Sequence, residues 1–392
     1  MSPRPLRVVI APDSFGGALD SVGVAAAMVS GWSRVRPEDE LIHAPMADGG
    51  EGTLAALVDA LGERAERRTA RVHDPLGREV EAEWLLLDEG KSAFLEMASA
   101  SGLARLPPDE RTPDNARLAS TRGTGELIRE ALDAGVEHIT IGLGGSATTD
   151  GGAGLLAALG LELQNGDGRE LADGGASLAN LTRAEPDKLD PRLGNVTLTI
   201  ACDVTNPLIG ERGAAATYAR QKGADASTIG ELDVALHRWG EVIASATGRL
   251  VADVPGAGAA GGTTAGLLGF TSAAIRPGVE VVAELVGLSE RLAEADLVIT
   301  GEGRADEQTL SGKAALGVAS LAPKGTPVVL LCGALGPGVG TLEASGAFAL
   351  VQPIPDHPMD LVEAMADSQR LLENASERLA RSIGIGLSLS DG

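Results

Sequence analysis

The chain has 392 residues and is acidic, with 55 Asp and Glu against 32 Lys and Arg and a formal net charge of −23. Nucleic acids and anionic membrane surfaces are bound by clusters of basic residues, so this charge argues against both as partners. The hydrophobic content of 44% is ordinary for a globular protein. The length exceeds that of most single cores, which favours two domains.

The sequence also indicates a compartment. No apolar run reaches about 18 residues, so we predict no transmembrane helix. An apolar strand pattern begins at Leu6, and no apolar region typical of a signal peptide precedes it. Cys202 and Cys332 have no metal-ligand spacing, which favours buried thiols in a reducing compartment. We therefore expect a cytoplasmic protein.

Both ends of the chain alternate between strand and helix patterns. Apolar runs rich in β-branched residues predict the strands, and polar or glycine-rich loops separate them from the helices. The predicted strands are 6–11, 41–44, 297–300, 327–332 and 347–353, and the predicted helices are 21–35, 54–61, 311–322 and 360–382. This alternation is typical of a doubly wound parallel sheet.

The middle of the chain has a different pattern. It reads as an antiparallel strand pair (65–72 and 79–87), strands at 92–97 and 196–202, helices at 121–133 and 227–247, an irregular polar stretch at 164–195, and a glycine-rich turn entering a helix at 254–269. We therefore predict an α/β protein of two domains. A discontinuous Rossmann-like parallel α/β/α domain is formed by 1–62 and 288–392, and a second α/β domain, 63–287, is inserted into it.

Residues 138–158 contain a glycine-rich junction between a strand and a helix. An apolar run at 138–143 predicts a strand, the turn 144–152 contains Asp150, and good helix formers begin at residue 153. The backbone amides and dipole at such a helix N-terminus can bind a phosphate. A plain tight turn closed by glycines is the alternative, and this stretch alone leaves it open.

Carboxylates recur in loops where predicted strands end. They are Asp13, Asp48, Asp150, Asp203, Glu302 and Asp306. A single residue of this kind is most often a turn former or a helix cap. Their repetition suits Mg²⁺, which takes one or two protein carboxylates together with phosphate oxygens and water. One carboxylate could also accept the proton of an attacking hydroxyl group.

Three basic residues lie in glycine-containing loops: Lys222 in RQKGAD, Lys313 in TLSGKAAL and Arg304 in GEGRAD. Such cations can pair with a phosphate or a substrate carboxylate, although solvated surface lysines are equally common. The sequence has no GxxxxGK[ST] P-loop, and its first βα turn, APDSFGGAL, has no GxGxxG. The five histidines show no zinc-ligand spacing.

Segments distributed over almost the whole chain form a specific combination. They are APDSF (11–15), PMADGGEGT (45–53), EMASASGL (96–103), TRGTGELI (121–128), GLGGSATTDGGAG (142–154), ACDVTNPLIGERGAA (201–215), QKGA (221–224), VPGAGAAGGTTAGL (254–267) and ITGEGRADEQTLSGKA (299–314). In this order they resemble the type I glycerate kinase family, bacterial enzymes that phosphorylate D-glycerate with ATP. The resemblance implies a two-domain α/β fold with an active site in the cleft between the domains. It also implies Mg²⁺-dependent transfer from ATP, with 2-phosphoglycerate as the product.

The chemistry of these motifs suggests roles for individual residues. Asp48 or Asp203 would accept or position the glycerate hydroxyl proton, Lys313 and Arg304 would neutralise phosphate charge, and Glu302 and Asp306 would hold Mg²⁺. Contacts to substrate or phosphate are predicted for Asp13, Ser14, Gly49, Gly50, Glu51, Gly145, Ser146, Asp150, Asn206, Lys222, Gly258, Gly261 and Gly262. The protein is expected to bind glycerate and ATP as a monomer or homodimer.

Two alternatives remain at this point. One is a kinase for another small hydroxy acid, or a glycerate kinase that forms 3-phosphoglycerate. The other is a catalytically silent protein that binds a nucleotide or a hydroxy acid.

Three positions depart from the family pattern. Gly16 stands where the family has lysine after APDSF, Thr149 stands for asparagine, and Thr264 stands for glycine. A lost loop cation that had touched phosphate in the transition state would cost more than about 2 kcal/mol, which is more than tenfold in rate.

Overall fold

The computed structural model describes residues 4–311 and 314–390. Its strands are β1 (Arg7–Ile10), β2 (Glu40–His43), β3 (Glu66–His73), β4 (Glu79–Leu87), β5 (Ser92–Glu96), β6 (His138–Gly142), β7 (Glu162–Asn165), β8 (Leu181–Glu185), β9 (Thr197–Ala201), β10 (Ala274–Arg276), β11 (Leu297–Ala305), β12 (Val328–Leu335) and β13 (Leu350–Pro353). Its helices are α1 (Ser21–Ser33), α2 (Thr53–Leu61), α3 (Met97–Ser101), α4 (Pro113–Leu118), α5 (Arg122–Asp133), α6 (Ala153–Ala158), α7 (Ala214–Tyr218), α8 (Ala226–Thr247), α9 (Ala259–Phe270), α10 (Gly278–Leu285), α11 (Leu288–Leu292), α12 (Ala314–Leu321), α13 (Val339–Ala344), α14 (Leu361–Ala366) and α15 (Ser368–Ser390). Within these described ranges, no helix is both long enough and apolar enough to cross a membrane.

The chain divides into two compact units. The first comprises the described residues of Met1–Asp48, Ala55–Gly62 and Val279–Gly392, and the second comprises Gly49–Leu54 and Glu63–Gly278. Relative to the division predicted from the sequence, residues 49–54 lie in the second unit and residues 279–287 lie in the first. Packing explains the latter difference, because a Cβ atom on Gly317 of α12 would lie only 2.4 Å from Val279 of α10.

The first unit is built on a parallel five-stranded sheet in the order β13-β12-β11-β1-β2. Ile10 of the interior strand β1 is in register with Ile299 of β11 on one side and His43 of β2 on the other. Successive residues of a strand point to opposite faces. Since Val8 and Val9 are both fully buried, both faces of this sheet are covered, as in a doubly wound α/β fold.

Helices α1 and α15 cover one face of this sheet. Val24 and Trp32 of α1 and Leu371 of α15 belong to one apolar cluster with side chains of β1, β11 and β12. Helix α1 begins after Asp20, whose carboxylate accepts a hydrogen bond from the Gly23 amide at 2.7 Å. This cap explains why the helix starts four residues beyond the glycine pair of the first loop.

The second unit contains a mixed six-stranded sheet in the order β10-β9-β6-β5-β4-β3 and a separate β7-β8 hairpin. The strands from β10 to β5 are parallel, and β4 pairs antiparallel with both β5 and β3. Trp239 of α8 is fully buried and stacks on Phe270 of α9, with 5.6 Å between the ring centroids. Its Nε1 also donates to the carbonyl of Gly151 at 2.8 Å, which anchors the glycine-rich turn 144–152.

The strand, turn and helix predicted within 138–158 are confirmed as β6, the turn and α6. The prediction for 164–195 was wrong in part, since this stretch contains most of the β7-β8 hairpin. The strand predicted at 297–300 continues to Ala305, because β11 stays paired with β12 as far as Ala305 and Leu335. The single terminal helix predicted at 360–382 is two helices, α14 and α15, separated at Asp367.

Candidate active site

In the first unit, carboxylates from three neighbouring strands gather at one edge of the sheet. Asp13 follows β1, Asp48 follows β2, and Glu302 lies near the end of β11. The parallel pairing of β1 with both β2 and β11 brings their carboxyl ends together. The pKa of Asp13 is raised to about 7: burial is the largest cause, the negative charges of Asp48 and Glu302 add to it, and hydrogen bonding with Ser14 acts in the opposite direction. We refer to the side chains of Asp13, Asp48 and Glu302 together as the carboxylate group. A bound cation would reduce the repulsion among their negative charges.

Ser14 and Glu302 have defined partners around this carboxylate group. Ser14 was predicted to contact substrate or phosphate, and its amide donates to Oδ1 of Asp13 at 2.6 Å. Glu302 is buried, and its Oε1 accepts a hydrogen bond from the hydroxyl of Thr309 at 2.6 Å. Burial and the charge of Glu302 raise the pKa of the Cys332 thiol to about 12, so this cysteine stays protonated near neutral pH.

Asp306 is engaged differently from the other carboxylates. Its Oδ2 lies 3.3 Å from Nε of the exposed Arg304, and its Oδ1 accepts a hydrogen bond from the Gln308 amide at 2.9 Å. Glu302 and Asp306 were predicted together as metal ligands. The structure groups Glu302 with Asp13 and Asp48 and leaves Asp306 in an ion pair and a turn. The predicted phosphate cation Lys313 lies outside the described residues.

In the second unit, the N-terminus of α6 already holds a carboxylate. Asp150 is fully buried, and its Oδ2 accepts hydrogen bonds from the amide and the hydroxyl of Thr121, each at 2.8 Å. The amides of Gly152 and Gly154 also donate to Asp150, at 3.3 and 3.2 Å. Burial raises the pKa of Asp150, and these hydrogen bonds lower it. Asp150 was predicted to contact substrate or phosphate; in the structure its carboxylate accepts hydrogen bonds from the chain's own amides and from the Thr121 hydroxyl.

Lys222 is buried inside the second unit. It is 2% exposed, and its Nζ donates to Oγ of Ser146 at 2.9 Å and to the carbonyl of Thr148 at 2.6 Å. Burial lowers the pKa of Lys222 to about 7, against a raising effect from Asp150. Lys222 and Ser146, both predicted to contact substrate or phosphate, thus brace the glycine-rich turn 144–152 from within.

A second helix N-terminus is occupied by a residue that sequence reasoning missed. Glu96, at the end of β5, is buried and accepts hydrogen bonds from the amides of Gly52 and Leu54, both at 3.0 Å. It therefore caps α2 within the loop PMADGGEGT. Burial raises the pKa of Glu96, these two amides lower it, and the neighbouring Glu51 raises it. The sequence feature that could have indicated this role is a carboxylate followed by small residues, in EMASASGL.

Glycines bring the loop 49–52 into direct contact with the end of β6. A Cβ atom on Gly142 would lie 2.2 Å from the carbonyl oxygen of Gly49, and one on Gly144 would lie 2.3 Å from Cα of Gly50. Gly145 has a positive φ and lies beside the exposed side chain of Glu51. No side chain fits at Gly142 or Gly144, so close backbone packing requires glycine at both positions.

The remaining predicted residues of the second unit belong to a neighbouring loop system. Asp203 is exposed, and its Oδ1 accepts a hydrogen bond from the Gly278 amide at 2.9 Å. The side chain of Asn206 donates to the Arg212 carbonyl and accepts from the hydroxyl of Tyr218.

The predicted glycines at the start of α9 have packing roles too. The amide of Gly258 donates to the Asn206 carbonyl at 2.9 Å. Gly261 and Gly262 both have positive φ values, and a Cβ atom on Gly261 would lie 2.0 Å from the Thr148 carbonyl oxygen. This contact packs the start of α9 against the turn 144–152.

Two threonine hydroxyls near these loops lack partners. Oγ1 of Thr148 and Oγ1 of Thr264 are buried and have no hydrogen-bond partner among the residues that the structure describes. Thr264 is one of the three departures from the family pattern. Its hydroxyl group therefore carries a desolvation cost that a glycine at this position would not have.

The comparisons with known proteins agree with this fold. The chain belongs to the glycerate kinase family, whose sequence profile matches residues 8–384. It is 46% identical to a glycerate kinase of Halalkalibacterium halodurans over 95% of this chain and 97% of that protein. It is 43% identical to the glycerate 2-kinase of Escherichia coli K12 over 97% of this chain and 99% of that protein.

The crystal structure of a candidate glycerate kinase 2 from Salmonella typhimurium LT2 superposes with a TM-score of 0.84. That chain is 40% identical, and the match covers 98% of this chain and 100% of the other. The family, the α/β fold class and the enzyme class predicted from the sequence are confirmed: the protein is a kinase of the glycerate kinase family.

Proposed function

We propose that this protein transfers the γ-phosphate of ATP to D-glycerate with the help of Mg²⁺ and forms 2-phosphoglycerate. The name of the Escherichia coli relative, glycerate 2-kinase, supports the position of the new phosphate. The observation that carries the proposal is the carboxylate group of Asp13, Asp48 and Glu302. It lies at the carboxyl ends of β1, β2 and β11, which is where ligands of open α/β sheets bind.

The carboxylate group fits Mg²⁺. The pKa of Asp13 is about 7 partly because two further negative charges lie near it, so a divalent cation would stabilise the ionised form. Among the described residues, no group of three or more His, Cys, Asp or Glu side chains could hold a metal ion. A nucleotide-borne Mg²⁺ keeps water and phosphate ligands and takes one or two protein carboxylates. We assign the two carboxylate ligands to Asp13 and Glu302. The bound ion would neutralise negative charge on the phosphates.

The chain's own residues supply the remaining chemistry. Asp48 is exposed beside Asp13, so it can accept the proton of the glycerate hydroxyl group. Arg304 is exposed on the same strand as Glu302 and offers a fixed positive charge to the phosphate oxygens. Phosphoryl transfer depends mainly on such positioning and charge stabilisation. Asp203 remains the alternative proton acceptor.

The purified protein should release ADP from ATP and Mg²⁺ when D-glycerate is added. A coupled assay over D-glycerate, L-glycerate, glycolate, lactate and tartronate tests the acceptor, and phosphorus NMR of the product distinguishes 2- from 3-phosphoglycerate. Another acid ranking well above D-glycerate would replace the proposed substrate. Calorimetric binding of ATP or glycerate without turnover would instead support a silent binding protein.

The metal assignment has its own test. Glu302→Gln should raise the Mg²⁺ concentration needed for half-maximal rate at least tenfold, because it removes a negative ligand. Glu307→Gln is the matched control, since Glu307 is exposed just beyond the same strand. Equal Mg²⁺ dependence in the two variants would contradict the role of Glu302.

A further inference from the structure

A cavity of about 330 Å³ opens within the first unit, at the carboxyl ends of β1, β11 and β12. Its volume lies within the range of small-molecule pockets, about 300–1,000 Å³. Its walls come from the loop after β1, the ends of β11 and β12, and the helix α14. The strand order reverses beside this cavity. β1 continues to β2 on one side, and β11 leads to β12 and β13 on the other, which makes it a topological switch point.

The cavity walls are mainly apolar and suit a flat ligand. Phe15, Ile354 and Met365 line the cavity, and Phe15 and Ile354 also belong to the apolar core of the first unit. Gly303 and Gly333 contribute backbone without side chains, so a planar group can approach the strand ends closely. A three-carbon hydroxy acid with a carboxylate and two hydroxyl groups has little apolar surface to pack against these walls.

Charged groups lie in or near the same cavity. Arg304 lines it directly. Phe15 is two residues beyond Asp13, and Arg304 is two residues beyond Glu302, so the carboxylate group and the cavity share the loop after β1 and the end of β11. At Gly16, which also lines the cavity, a Cβ atom would meet no other atom within 4 Å, so this part of the cavity is open. A ligand that fits both regions has a flat, weakly polar body and an anionic end.

We propose that this cavity binds the purine base of the nucleotide substrate, with the phosphates directed toward Arg304 and the carboxylate group. This inference rests on the proposed function, since it places the nucleotide of the same reaction. It separates the roles of the residues along the loop after β1. Asp13 serves the metal and phosphate end, and Phe15 packs against the base.

The test fills the cavity and measures binding without turnover. Ala364 of α14 lines the cavity, and Ala366 lies on the same helix, exposed and away from the lining. Calorimetry of the full-length protein should show that Ala364→Phe weakens ATP binding at least tenfold. Ala364→Phe should leave the affinity for inorganic tripolyphosphate within twofold of the original value. The control Ala366→Phe should change the affinity for neither ATP nor tripolyphosphate.

Three outcomes would overturn the inference. They are unchanged ATP affinity in Ala364→Phe, an equal loss for tripolyphosphate, and a loss of D-glycerate affinity in place of ATP affinity. Circular dichroism and thermal melting verify that the variants fold. If Ala364→Phe does not fold, Met365→Ala replaces it, since loss of this wall should weaken ATP at least threefold. Unchanged ATP affinity in that variant would refute the assignment equally.

The same experiment separates this inference from the proposed function. If the original protein binds ATP through the cavity but does not phosphorylate D-glycerate, the base site stands and the proposed acceptor is wrong. If D-glycerate is phosphorylated while Ala364→Phe leaves the KM for ATP unchanged, the kinase stands and the base lies elsewhere.

Discussion

Replacing Lys222 should change how the stability of the protein depends on pH. The pKa of this lysine is about 7 in the folded protein because of burial, against 10.5 in an unfolded chain. Between these values the unfolded chain holds a proton that the folded protein has released. The free energy of unfolding therefore rises with pH, with a slope that approaches about 1.4 kcal/mol per pH unit. Between pH 7 and 9 this contribution amounts to about 2 kcal/mol.

Lys222→Met removes the titrating group and keeps much of the aliphatic volume. It also removes the hydrogen bonds from Nζ to Ser146 and to the Thr148 carbonyl, which a neutral amine still donates over this pH range. Urea unfolding at pH 7, 8 and 9 should show the difference between original protein and variant increasing by about 2 kcal/mol. Lys188→Met is the control, because Lys188 is exposed and its ion pair with Glu162 raises its pKa. A difference between original protein and Lys222→Met that stays flat from pH 7 to 9 would refute the reasoning, since it would mean that Lys222 stays charged when buried.

Three further substitutions have defined outcomes. At Gly16 a Cβ atom would meet no other atom within 4 Å, so a lysine fits there. Gly16→Lys should raise kcat/KM more than tenfold if the family's loop cation contacts phosphate, whereas the uncharged Gly16→Met should not. Equal kcat/KM values for the two variants would exclude a charge effect. Thr264→Val should raise the free energy of unfolding by about 1 kcal/mol because it removes an unpartnered buried hydroxyl. Thr263→Val should lower it by a similar amount, since that hydroxyl donates to the Ala260 carbonyl; chemical denaturation that gives both changes the same sign would contradict the argument. Asp150→Ala should lower the free energy of unfolding by about 3 kcal/mol or more, because the buried amides and hydroxyl that donate to Asp150 lose their acceptor. An unchanged melting temperature would mean that 144–152 is a plain glycine turn that does not depend on Asp150.

Local patterns were sufficient where neighbouring residues determine the structure. The strand, turn and helix of 138–158 each follow from composition over a few residues, and all three were predicted. The extension of β11 through Gly301 and Gly303 could not be read locally, because glycine disfavours strands and pairing with β12 provides the stabilisation. The break between α14 and α15 at Asp367 is likewise absent from the apolar pattern of 360–382.

The site was harder to predict because its contacts are distant in sequence. Thr121 lies 29 residues from Asp150, and Lys222 lies 76 residues from Ser146. A glycine-rich turn and a helix N-terminus look the same in sequence whether they bind an external phosphate or an internal carboxylate. Only the three-dimensional contacts distinguish the two, and they also show that Glu96 has the same role at α2.

The discontinuous first unit has a consequence for synthesis on the ribosome. Strand β1 pairs with β11, and the hydroxyl of Thr300 donates to the carbonyl of Ala11 across 289 residues. At about 5–20 residues per second, β1 emerges roughly 15–60 s before β11 is made. Translation speed therefore determines when this sheet can close. A nascent chain stalled before β11 keeps an unpaired apolar strand edge, which is a template for aggregation.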